Sequence, residues 1–131
     1  MAAPKGNQFW RAASTHGRKP LWDDPEQLRE ACYEYVQWME DNPLEEAVTY
    51  QGEVMENPLP KMRAMTIGGL CIFLGMTTET WLQYRKKEEF SSITKEIDEI
   101  IRQQKFQGAA ANMLNPNIIA RDLGLKESSE I

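Results

Sequence analysis

Long apolar runs are missing from this 131-residue chain. No stretch of about 18 apolar residues occurs, which excludes a membrane-spanning helix. Histidine is nearly absent: the single His16 lies in a stretch rich in Gly, Ser, Lys and Arg. A histidine-based metal site or a Ser-His-Asp triad would have little else to build on. Cysteine is scarce too. Cys32 and Cys71 stand far apart with no CxxC or Cys/His grouping. That argues against a disulfide framework and for a reducing compartment. The glycines of GGLCIFLG lack the Lys and Ser/Thr of a phosphate-cradling GxxxxGK[ST] loop. Acidic pairs Asp23/Asp24 and Glu45/Glu46 could hold a divalent ion, but solvated surface acids are the commoner meaning of such pairs. No catalytic residues, no metal and no cofactor are therefore expected, and the chain is not expected to be an enzyme. The first twenty residues have no apolar centre and do not read as a secretory signal.

What is present is a chain long enough for one domain. Its core should be modest, because mean hydropathy is −0.58 and only four Phe occur. The formal net charge of −5 argues at face value against a nucleic-acid partner. Counting by segment weakens that argument. Residues 1–20 carry +4 and no acid, residues 21–60 carry −10, residues 61–87 carry +4 and residues 88–131 carry −3. Such alternation fits either ordinary solvated faces or subunits that meet acid to base.

Local signals predict a mainly α chain with one short β-hairpin. Residues 1–22 read as a basic arm, with Phe9 and Trp10 as anchors. Residues 23–124 read as a helical core, and 125–131 as a polar, frayed end. Asp24 followed by Pro25 starts a helix whose apolar stripe is Leu28, Cys32, Tyr35, Val36 and Met39, and Asn42-Pro43 stops it. A hairpin over about 47–56 turns at Gln51-Gly52, with Val48, Tyr50, Val54 and Met55 around the turn. So short a hairpin is marginal alone and should pair with something else. The proline-rich stretch Asn57-Pro58-Leu59-Pro60 stays extended.

Residues 66–87 form a helix-turn-helix-like unit. Thr66 caps a first helix from Ile67 to Leu74, Gly75 stops it, and Thr77 or Thr78 caps a second helix to about Lys87. Cys71 takes the small position where the helices cross, and Trp81 is the anchor. Leu70, Cys71 and Leu74 are expected to face Trp81, Leu82 and Tyr84. Gly68-Gly69 weaken the first helix and suggest close approach of another backbone. The pattern alone divides evenly between a DNA-reading unit and a packing corner. A long helix follows from about Glu89, with the stripe Phe90, Ile93, Ile97, Ile100 and Ile101. It could break near Gly108, and Phe106, Ala109, Ala110, Met113 and Leu114 could extend the stripe. Asn115-Pro116 opens a last short helix, with Ile118, Ile119 and Leu123 apolar, and Gly124 stops it. Arg85, Lys86 and Lys87, with Lys61, Arg63 and the arm residues Lys5, Arg11, Arg18 and Lys19, are the candidate phosphate contacts. Phe90, Ile93, Ile97, Ile101, Phe106, Tyr50 and Val54 are the candidate subunit contacts, core packing being the alternative for the helical ones.

Together, MAAPKGNQFW, YQGEVMENPLPKMRAMTIGGL, FLGMTTETWLQYR, QKFQGAAANMLN and NIIARDLGLKE resemble the small terminase subunits of headful-packaging, short-tailed lambdoid phages. The likeness covers almost the whole chain in unbroken order. It implies a non-catalytic DNA-packaging factor that assembles into a ring, expected to be a nonamer. Such a ring recognises the packaging site on concatemeric double-stranded viral DNA and recruits the large ATPase/nuclease subunit. It would work in the host cytoplasm and be absent from the mature virion. These subunits continue past LGLKE into a basic tail that this chain lacks, so the chain is expected to be short of that tail. Two other readings stay open: a dimeric helix-turn-helix repressor, and a structural ring whose DNA binding resides in the basic tail.

Overall fold

The computed structural model describes residues 9, 11–16, 22–54 and 56–125. The sequence expectations for Trp10, Met55 and residues 126–131 lie outside them. Within the described residues the chain forms five helices and two small antiparallel ladders. Helix α1 spans Pro25–Asp41; the Asp24 side chain accepts from the Glu26 amide and Pro25 opens the first turn. Its buried stripe is Leu28, Ala31, Cys32, Tyr35 and Met39. That is the predicted face with Ala31 added and Val36 only half-buried.

A β-ribbon leaves the end of α1. Its outer ladder pairs β2 (Thr49–Tyr50) with β3 (Glu53–Val54) across the Gln51-Gly52 turn. Both turn residues have positive φ, 52° and 83°, as the twist of a two-residue hairpin turn demands. Its inner ladder pairs β1 (Leu44–Glu46) with β4 (Leu59–Lys61). The extended proline stretch thus finds a partner strand that sequence patterning did not indicate. Pro60 is tolerated because a two-stranded ladder is all edge. Every strand residue is exposed, so the ribbon adds nothing to the core.

Helices α2 (Ile67–Leu74) and α3 (Thr78–Lys86) form the corner. Thr66 accepts from the Gly69 amide, Gly75 takes the left-handed conformation, and Thr77 accepts from the Thr80 amide. Leu70, Cys71, Leu74, Trp81 and Tyr84 are buried at the crossing, whereas Leu82 is exposed. Helical geometry turns Leu82 about 100° from Trp81, which places it outside the contact face. Gly69 admits the Tyr35 side chain rather than another backbone: a Cβ there would sit 2.8 Å from the Tyr35 hydroxyl. Gly68 faces open space.

Helix α4 runs unbroken from Glu88 to Ala110 and packs on α1, α3 and α5. Its face Phe90, Ile93, Thr94, Ile97 and Ile101 closes the core. Gly108 is no break; it is buried against Met62 and Leu114. Of the expected extension, Phe106, Ala110 and Met113 are exposed, while Ala109 is half-buried and Leu114, past the helix end, is half-buried against Gly108, so the stripe continues only in part. Helix α5 (Pro116–Asp122) is capped by Asn115 and buries Ile119, while Ile118 is exposed. The bidentate Arg29–Glu96 pair (2.9 and 3.2 Å) links α1 to α4. The Gln104 amide accepts from the Met65 amide and donates to the Arg63 carbonyl, tying the 62–66 linker to α4.

The described part of the arm lies on this body. Ala12 and Trp22 belong to the core cluster, and the Ser14 amide donates to the Phe73 carbonyl. Glu34 accepts from the Ser14 hydroxyl and the Thr15 amide, and His16 sits 3.2 and 3.6 Å from Glu34 and Glu30. Both cysteines are free and buried. Burial pushes the Cys71 thiol up to about 11 and the Cys32 thiol further, so neither supplies a reactive thiolate near neutral pH.

Candidate nucleic-acid interface

Helix α3 and the residue after it carry the basic run. Trp81 and Tyr84 point inward, which leaves Thr78, Glu79, Leu82, Gln83, Arg85 and Lys86 outward. Arg85 does not offer a free charge. Its Nε and Nη2 reach Asp98 of α4 at 2.8 and 2.9 Å, and the Trp81 indole donates to the same carboxylate at 3.1 Å. The bidentate geometry makes this a strong pairing that anchors the corner on α4. Lys87 lies over the rings of Tyr84 and Phe90 at 5.2 and 6.0 Å, with its residue exposed. Lys86 is exposed, and among the described residues it has no ion-pair partner. Glu88 and Glu89 follow at once, where they suit the start of α4 but counter the local positive charge.

The other basic candidates are scattered. Lys61 pairs with Glu46 across the inner ladder at 3.2 Å. Arg63 is buried: its Nε donates to the Asn42 carbonyl, and its guanidinium lies 5.5 Å from the Phe9 ring and 5.3 Å from the Trp38 ring. Burial lowers its pKa. Arg11 is exposed, while Lys5, Arg18 and Lys19 lie outside the described residues. The corner therefore brings together Arg85, Lys86 and Lys87, and of these Lys86 and Lys87 remain for an outside anion.

Of the candidate subunit contacts, Phe90, Ile93, Ile97 and Ile101 are buried within the protomer. Phe106, Tyr50 and Val54 are 49%, 65% and 70% exposed. Sequence reasoning did not find Asp98, Gln104 or the Arg29–Glu96 pair. Their partners stand 13, 39–41 and 67 residues away, and no local pattern carries such pairings. Among the described residues no cluster of His, Cys, Asp and Glu could hold a metal ion, and no helix is long and apolar enough to cross a membrane.

Comparison with known proteins gives a consistent result. A small terminase subunit of Salmonella phage P22 is 56% identical over 133 aligned residues, covering all of this chain and 82% of the phage protein. The family profile described as DNA-packaging protein gp3 matches residues 17–131. With identity of this level spread over the whole chain, the protein belongs to the DNA-packaging protein gp3 family, that of a phage small terminase subunit.

Proposed function

We propose that this chain is the regulatory, non-catalytic subunit of a phage terminase. In this reading it forms a closed ring, expected to be a nonamer, recognises the packaging site on concatemeric viral DNA, and brings in the large ATPase/nuclease subunit. It acts in the host cytoplasm and does not remain in the mature virion. The observation that carries the reading is the 56% identity to a small terminase subunit along the entire chain.

Two structural features support the finer claims. The wholly exposed ribbon is unstable as a free-standing element, which suits a contact between copies. Phe106, Tyr50 and Val54 stay as interface candidates; Phe90, Ile93, Ile97 and Ile101 leave that set because the protomer's own core covers them. For DNA, Lys86 and Lys87 are the proposed phosphate contacts at the corner, with Arg11, Lys5, Arg18 and Lys19 of the arm. Arg63 leaves that set because it is buried. The Arg85–Asp98 pair favours one second reading, in which the corner builds the ring wall and the DNA is held elsewhere.

Native mass together with salt-dependent binding of duplex DNA tests the proposal. A closed oligomer with a falling log K against log salt is expected, and a strict monomer at micromolar concentration would sink the ring. Replacing Lys86 and Lys87 by Ala should make the slope shallower by about 0.9 per lost phosphate contact. An unchanged slope would favour the wall reading.

A further inference from the structure

The protomer carries a cleft that its own ribbon tip does not fill. The cleft, about 380 Å³, opens between the end of α1, the root of the ribbon and the turn after α4. Met39, Met62, Met65 and Met113 form much of its wall, and unbranched thioether side chains adapt to the shape of what enters. Lys61, Arg63 and Glu40 are its charged lining residues. Lys61 already pairs with Glu46, and Glu40 is the one opposing charge. Arg63 is only 7% exposed, yet its Nη2 has no hydrogen-bond partner. A buried guanidinium arm without an acceptor is costly, so an acceptor arriving from outside would be favoured.

The ribbon tip offers a matching surface. Its register pairs Tyr50 with Glu53 and Thr49 with Val54. Cross-strand partners project on one face, so the Tyr50 ring and the Glu53 carboxylate stand side by side. Both residues are exposed, and no described residue of the segment 44–59 lines the cleft.

We propose that the ribbon tip of one copy seats in the methionine-lined cleft of the next. The Tyr50 ring lies among the methionine sulfurs and the Glu53 carboxylate accepts from the open Nη2 of Arg63. The contact joins two different surfaces of identical chains, which is the head-to-tail kind that closes into a ring when the rotation permits. It rests on the ring reading above and names the surfaces that would make it.

Cysteine cross-linking tests it, because Cys32 and Cys71 are buried, while Met113 and Val54, beside the Tyr50/Glu53 pair on the tip, are exposed. Val54→Cys and Met113→Cys chains are co-expressed, mildly oxidised, and run on non-reducing denaturing gels beside native mass spectrometry. Inter-chain dimers from the mixture, and a ladder from the double variant, are expected. A closed-ring mass without inter-chain cross-links overturns the docking and leaves the ring standing; the cleft is then open to another partner, such as the large subunit. A cross-link within single chains overturns it by showing that the tip fills its own cleft. A monomeric mass overturns both readings. The variant Tyr50→Ala/Glu53→Lys should weaken association at least about tenfold, as loss of an interface anchor does, and unchanged association would also overturn the docking.

Discussion

The helical body and the β-ribbon divide the molecule into two economies. In the body, Leu28, Leu70, Leu74, Trp81 and Ile97 are completely buried, and the four helices α1 to α4 converge on that centre. In the ribbon every strand residue is exposed, including Tyr50, Val54, Leu44 and Leu59. The body therefore draws its stability from apolar burial inside one protomer. The ribbon draws on a few ladder hydrogen bonds, the exposed Lys61–Glu46 pair and a well-chosen turn, which is little for a self-supporting element. Apolar side chains held out on such an element are better explained by a contact to come than by folding. That contrast underlies the proposal that the body is self-contained while the ribbon serves assembly.

The contrast can be broken from either side. The largest effect is expected for Trp81→Ala, which empties the centre of the corner and removes a donor from Asp98. It should cost about 3–5 kcal/mol in denaturant unfolding. A loss below 1 kcal/mol would mean that the body is not packed around this residue. Gly69→Ala comes next, at about 1–3 kcal/mol, since the added Cβ would meet the Tyr35 and Thr66 oxygens at 2.8 and 3.0 Å. Its neighbour gives the control: Gly68→Ala meets nothing within 4 Å and should stabilise the helix by up to about 1 kcal/mol. If the two adjacent changes had the same sign, the packing of Tyr35 on α2 would be wrong.

In the ribbon, Gly52→Ala places a Cβ at a φ of 83° and should cost about 1 kcal/mol locally. Protection of the Thr49–Val54 amides from exchange should fall, while the unfolding midpoint of the body stays put. The smallest effect concerns pH. Arg29 holds the Glu96 carboxyl below its ordinary value through a hydrogen bond and its charge. A depressed carboxyl contributes stability above its unfolded pKa of about 4.3, and that contribution is lost as pH falls through the folded value. Because the pair is largely exposed, Arg29→Ala should flatten the acid side of the stability curve only slightly.

Local signals carried most of the architecture. Asp24-Pro25, Thr66 with Gly75, Thr77, and Asn115-Pro116 with Gly124 mark helix ends through caps that depend on two or three neighbouring residues. Gln51-Gly52 marks the turn in the same way. The inner ladder escaped because Leu44–Glu46 and Leu59–Lys61 are three residues each and one contains Pro60, so no alternation could show. The site was less legible for a different reason. Periodicity says that Phe90, Ile93, Ile97 and Ile101 share a face but not what covers it, and here the protomer itself does. Likewise a basic run says nothing about Asp98, which lies on the next helix and takes up Arg85. The burial of Arg63 between Phe9 and Trp38 depends on three distant segments meeting.

The division between body and ribbon is tested most directly by the native mass of Tyr50→Ala/Glu53→Lys, read beside its helical circular dichroism. The account predicts that the wild-type oligomer gives way to protomers while the helical signal is unchanged. An intact oligomer, or an assembly lost only together with the helices, would contradict it.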